Sequence, residues 1–177
     1  MAITSDSGVV AIWNKIVAVL QGEMNVGPTG PGSGSNTTGR LQSLQYVHKT
    51  IHLWSDELPA VGVQLIEEDP EPYGQRKQLV TIEFRIVVAA KAAVDSNGNI
   101  TLDDAFSKLM QLIEDGNGNG VMAVLRDPAN FSLGGLAMET YSRGKNKYDW
   151  DVDKAVGATD ARAYAYIPYF AKAIVSY

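Results

Sequence analysis

The sequence predicts an α+β fold, a mostly antiparallel or mixed β-sheet of about four to six strands flanked by two main α-helices. Two stretches, 6–22 and 102–114, repeat apolar residues at helical spacing. Between them, Leu79 to Ala90 alternates strictly, with Val80, Ile82, Phe84, Ile86 and Val88 on one face and Thr81, Glu83 and Arg85 on the other. The closing stretch is β-like again, so the helices flank strands without alternating with them one for one.

In the first helix Val9, Ile12, Trp13, Ile16 and Leu20 form one buried stripe. Ser5, Asp6 and Ser7 are candidate caps, and Gly22 with Gly27-Pro28 ends the helix. Residues 27–40, GPTGPGSGSNTTGR, carry almost no apolar side chains. Ordering a backbone residue costs about 1–2 kcal/mol, and burial cannot offset that here, so the stretch is expected to be a mobile loop. Strands are expected over Tyr46–Trp54 and Ala60–Ile66, with an acidic turn over Glu67–Gly74 leading into the long strand. Thr101 and Asp104 make a variant capping box for the second helix, whose stripe is Leu102, Ala105, Phe106, Leu109, Leu112 and Ile113. Asp115–Gly120 stops it, and Val121–Leu125 adds a helical turn. The last strands are expected at Leu136–Tyr141 and at Ala161–Val175, the latter broken by Pro168.

A length of 177 residues fits one domain, 1–177, with a core that needs no staples. The chain has no cysteine, which removes disulfides, thiol nucleophiles and Cys-ligated zinc. A net charge of −5 argues against a broad nucleic-acid groove. The N-terminal apolar run is interrupted by Asn14 and Lys15 and has no basic flank, so neither a signal peptide nor a membrane span is expected.

Catalytic patterns are weak. The 27–40 stretch has no Lys after its glycines and follows a helix, so it is not a Walker A loop. Its two collagen-like triplets are too few for a triple helix. Asp95–Asp104 resembles a calcium loop, but Gly falls at position four, and positions six and twelve are Ile100 and Phe106. His48 and His52 share a strand face yet would lie roughly 13 Å apart, too far for one ion. Ser33 lies in Gly-Ser-Gly-Ser, which is not the G-x-S-x-G elbow. The carboxylates Glu67, Glu68, Asp69 and Glu71 read as a solvated turn. No enzyme, cofactor or metal is expected.

Charge is distributed unevenly. The 67–71 segment is acidic, whereas Arg143, Lys145, Lys147 and Lys154 make a later hairpin basic. Two solvated loops are the simpler reading. The sharper one is a pair of complementary patches whose head-to-tail contact can close a ring. Tyr164, Tyr166, Tyr169, Phe170 and Tyr177 belong to the sheet and its core or to an oligomer interface.

Trp54-Ser55-Asp56-Glu57-Leu58-Pro59-Ala60-Val61-Gly62-Val63-Gln64-Leu65 is the segment that carries a family resemblance. An amphipathic helix, a strand, this Leu-Pro-Ala-Val-x-Val strand, a polar turn and the long strand Gln78–Val88 resemble the tail terminator proteins of long-tailed bacteriophages, of the minor tail protein U kind. The helix at 102–114 and the closing strand 161–175 fit the same order, while the long 27–40 insertion departs from the usual pattern. The resemblance implies a homohexameric ring in the virion, assembled in the host cytoplasm. Such a ring caps the tail tube protein, stops its polymerisation and meets a neck or head-completion protein, with a sheath protein beside it in a contractile tail. Genome DNA would pass through the lumen without sequence-specific contact, and no membrane is involved.

The residues expected to contact partners are Pro28, Thr29, Pro31 and Arg40 in the arm, Glu67, Glu68 and Asp69 in the acidic segment, and Arg143, Lys145 and Lys147 in the basic tip. Another neck, tube or tail-completion protein is the first alternative. A non-viral α+β ligand-binding module is the second, and it would need a concave pocket with convergent polar groups.

Overall fold

In the computed structural model, residues 3–27, 30–31, 33–49, 58–93, 102–152 and 160–176 are described. The chain starts with β1 (Ile3–Thr4) and α1 (Ser5–Gly22), then a small hairpin of β2 (Val26–Gly27) and β3 (Gly30–Pro31). β4 (Tyr46–His48), β5 (Ala60–Gly74) and β6 (Lys77–Ala93) follow. Next come α2 (Leu102–Ile113), α3 (Val121–Leu125) and two 3-10 turns, Pro128–Asn130 and Leu133–Gly135. The chain closes with β7 (Glu139–Ser142), β8 (Lys147–Val152) and β9 (Asp160–Ser176). The α+β class is as expected.

One sheet organises the chain. β5, β6 and β9 run antiparallel in its centre, and β4 pairs β5 in parallel. β6 occupies one side of β9 along its whole length, so β8, β7 and β1 share the other side, end to end. β9 has 17 residues, which makes the sheet about 55 Å long.

The three α-helices among the described residues pack on one face of the sheet. Val80, Ile82, Phe84, Ile86 and Val88 of β6 meet Ile12, Ile16 and Leu20 of α1, Leu109 of α2 and Met122 of α3 in one core. β9 contributes its odd-numbered residues, Ala163 through Val175. The small side chains Ala163, Ala165, Ala171 and Ala173 leave room for the helices to sit close to the sheet. Trp13 is half-buried, and its indole donates to the Val63 carbonyl at 2.9 Å, just beyond the end of the β4 ladder. Thr101 lies outside the described residues, as do residues 50–54 of the first expected strand.

Two expectations about strands are corrected. Pro168 does not break the last strand, and β9 runs through it with Pro168 paired to Arg85. The Ser142 hydroxyl donates to the Pro168 carbonyl at 2.9 Å. A strand residue presents its N and O to the same neighbour. The missing N–H of Pro168 therefore faces the gap between β7 and β8, where no ladder bond is lost. The second correction concerns residues 67–74, which continue β5, so the turn lies at Gln75–Arg76. Arg76 there has φ of 61°, the left-handed backbone of a tight hairpin.

A register shift between Leu65 and Glu67 explains how acidic residues enter the strand. Val61, Val63 and Leu65 pair with Val88, Ile86 and Phe84 and face the helices. In a regular strand Glu67, Asp69 and Glu71 would continue on that face. The bulge at Ile66 inserts one residue and turns them to the opposite side, beside Glu83, Thr81 and Leu79.

Candidate functional site

The face of the sheet away from α1, α2 and α3 and its two long edges carry most of the described residues singled out in the sequence. On the β5 edge, Glu67, Glu68, Asp69 and Glu71 are all exposed. None of the four forms an ion pair among the described residues. Pro70 and Pro72 alternate with the ladder residues and pair with Val80 and Gln78. An edge proline keeps its donor-less nitrogen on the solvent side, so this outer edge lacks two N–H groups that a further strand would need. Acidic side chains and prolines together blunt the edge against ladder extension. Arg76 and Lys77 bring positive charge only at the hairpin tip.

The opposite edge carries the basic segment. It is a bulge in an interrupted strand, which corrects the expected hairpin tip. β7 and β8 both pair antiparallel with β9, ending at Ser142↔Tyr169 and resuming at Lys147↔Tyr166. Residues 143–146 therefore stand opposite Ile167 and Pro168 alone and are pushed outward. Arg143, Lys145 and Lys147 are exposed, and none forms an ion pair among the described residues.

Register relates the two charged segments. Read across the sheet, Gln64, Arg85 and Pro168 form the row that ends at the basic bulge. Glu67, Glu83, Phe170 and Tyr141 form an adjoining row on the same face. The acidic and basic segments thus begin in neighbouring rows at opposite edges. Between them, Tyr141 and Phe170 stack at 5.3 Å, and Lys172 pairs with Glu139 at 3.3 Å. Further along, Tyr164 and Tyr166 pack against buried Leu58, Ala60, Val87 and Ala89. Burial pushes the Tyr166 hydroxyl above its ordinary pKa, and Asp149 adds to the shift. Leu58 and Ala60, from the segment that carries the family resemblance, therefore support this face.

The arm residues are placed differently. Pro28 and Thr29 lie outside the described residues, and Pro31 sits in β3. Arg40 is held inside the chain. Its Nη2 and Nε donate to Glu23 Oε1 at 2.6 and 3.1 Å, its backbone N–H to Oε2 at 3.0 Å, and its Nη1 to Asp127 Oδ2 at 2.7 Å. The guanidinium holds the Glu23 carboxyl below its usual range. The Ala129 N–H and then Arg40 do the same for Asp127. Asn36 Nδ2 donates to the Gly22 carbonyl at 2.7 Å. Gln42 Nε2 donates to the carbonyls of Asn36 and Gly39, and its Oε1 accepts from Asn25. Residues 33–40 are thus anchored by polar contacts to the end of α1, a mode of ordering that a lack of apolar residues does not reveal.

The remaining chemistry is sparse. His48 stacks on Tyr46 at 5.5 Å, and His52 and residues 95–101 lie outside the described residues. Asp115–Gly120 matches the first six positions of an EF-hand loop, a match the sequence reading missed. Position twelve is Arg126, paired with Glu114 at 3.1 Å, where a bidentate Glu is needed. The Asp115 oxygens already accept from Asn117 N, Asn119 N and Asn119 Nδ2. Among the described residues no group of three or more His, Asp or Glu could hold a metal ion, and no helix is long and apolar enough to cross a membrane. A cleft of about 820 Å³ opens beside Arg40, Gln42, Lys91, Lys108, Gln111 and Asn119. Compared with known proteins, the chain matches no family model and no curated protein.

Proposed function

We propose that this chain is a structural protein of the head–tail junction of a long-tailed bacteriophage, of the tail terminator kind. In this reading copies form a ring that caps the tail tube, stops its polymerisation and joins the tail to the neck, without making or breaking bonds. One observation carries the reading: among the described residues a sheet about 55 Å long is covered by helices on one face only, and one segment on each of its two edges, residues 67–71 and residues 143–147, bears opposite charge. Such a subunit offers two different surfaces for a heterologous contact, and repetition of that contact closes a ring when the rotation allows. The order of elements, from the amphipathic α1 through the Leu58-Pro59-Ala60-Val61 strand to the closing β9, supports the same assignment. The test is native mass by light scattering with negative-stain images of the same sample. Closed six-fold rings are expected, and a monomer at every concentration would count against the reading.

The cleft favours a second reading, a ligand-binding module, because amide and cationic side chains converge on a concave surface. Thermal-shift screening with small polar and anionic ligands separates the two. A saturable rise in Tm with a monomeric mass would favour the module.

A further inference from the structure

We propose that the acidic outer half of β5 in one copy of this chain docks on the Arg143–Lys147 bulge of a second copy, head to tail. This contact rests on the ring reading and names the surfaces that build it. Four carboxylates, Glu67, Glu68, Asp69 and Glu71, face solvent within five residues of one edge strand. Three cations, Arg143, Lys145 and Lys147, face solvent within five residues on the other edge. None of the seven is neutralised by an ion pair among the described residues. On one copy the two groups are separated by the width of β5, β6, β9 and the β7–β8 strand, about 14 Å. They therefore cannot satisfy each other, but two copies side by side bring them together.

The edge chemistry selects the mode of contact. Pro70 and Pro72 deny the β5 edge the donors for a continuous inter-chain ladder. The bulge likewise lifts residues 143–146 off the line of β7 and β8. Contact is then made by side chains, so it is electrostatic, salt-sensitive and tied to one pairing of edges. Like segments repel, which disfavours a two-fold dimer that brings two acidic runs or two basic bulges together and leaves the head-to-tail arrangement. Arg76 and Lys77 lie beyond the acidic run at the hairpin tip, and Glu139 and Asp149 flank the bulge. Glu139 is held by Lys172 within its own chain.

Two charge-reversed variants test the contact. One carries Glu67→Lys, Asp69→Lys and Glu71→Lys, and the other carries Arg143→Glu, Lys145→Glu and Lys147→Glu. All six positions are exposed, and thermal melting checks that each variant folds. Native mass is read at about 50 mM salt, where screening is weak. Wild-type chain is expected to associate. Each variant alone is expected to associate at least about tenfold more weakly, because its two edges carry the same sign. An equimolar mixture should recover the wild-type mass, because every contact then joins opposite charges again. If each variant alone assembled like wild type, the contact would be overturned, and six-fold rings in the images would leave the ring reading standing. If the mixture stayed dissociated while wild type assembled, charge pairing between these edges would be excluded. A wild-type chain that stayed monomeric at this salt would overturn the contact together with the ring reading.

Discussion

Arg40 and Asp127 lie 87 residues apart in the chain and meet at 2.7 Å, while the same guanidinium grips Glu23 at 2.6 Å. This one side chain pins the polar 33–40 segment to the end of α1 and to the turn that caps Pro128–Asn130. The group is partly exposed, so its ion pairs are screened and contribute less than their geometry suggests. Arg40→Ala is expected to cost about 1–2 kcal/mol, mostly from hydrogen bonds left unmade. Urea unfolding monitored by circular dichroism measures this, and an unchanged midpoint would remove Arg40 from the anchoring role.

The same cluster sets a pH dependence. Arg40 lowers the Glu23 pKa in the folded chain relative to the unfolded one. A depressed carboxylate contributes stability that is present above the unfolded value, near 4.5, and is lost as pH falls through the folded value. Wild-type stability should therefore drop on acidification below about pH 4.5, and the drop should be shallower in Arg40→Ala. Equal slopes for the two proteins would contradict this origin.

Gly39 and Gly22 make a matched pair. A Cβ on Gly39 would run into the Glu23 carbonyl, whereas a Cβ on Gly22 meets nothing within 4 Å. Gly39→Ala is expected to destabilise by about 1–3 kcal/mol. Gly22→Ala should be neutral or stabilising by up to about 1 kcal/mol. Thermal melts of the two variants distinguish a packed 33–40 segment from a free one, which would tolerate both.

The Trp13–Val63 hydrogen bond ties α1 to β5 across 50 residues. Trp13→Phe keeps most of the ring and removes the donor, so a loss of about 0.5–1.5 kcal/mol is expected. Phe84→Ala empties a fully buried site between the sheet and the helices. A loss of about 3–5 kcal/mol is expected there. Chemical denaturation should rank the two in that order.

Pro168 offers a test of the edge geometry. Its nitrogen faces the bulge, so no ladder bond is waiting for a donor. Pro168→Ala should destabilise by less than about 1 kcal/mol, through greater freedom of the unfolded chain. A stabilising effect would mean that β7 or β8 can accept a bond there.

Periodicity made much of the fold legible. Both long helices, the short α3 and the alternation of β6 follow from apolar spacing, because burial of one face is the dominant local demand. The errors came where pairing partners decide. Pro168 reads as a breaker, yet its nitrogen happens to face a gap between two strands. Residues 67–74 read as a turn because they are charged and contain two prolines, yet an edge strand tolerates both features. The candidate surface was half legible: charge runs show in sequence, but their placement at opposite edges does not. Arg40 looked available to a partner because Glu23 and Asp127 are remote along the chain.

The sequence by itself determined the helices, the long alternating strand β6, the core-facing stripe on each long helix and the separation of acidic from basic residues. These are local properties, fixed by side-chain spacing along the backbone. Only the tertiary structure decided which face each residue occupies and what lies across from it. A one-residue bulge at Ile66 turned three carboxylates from the helix face to the solvent face. The pairing of β9 with both β7 and β8 turned a basic loop into an edge feature. Register is a relation between strands, and period-two alternation makes a shift of one residue reverse the assignment of every side chain beyond it.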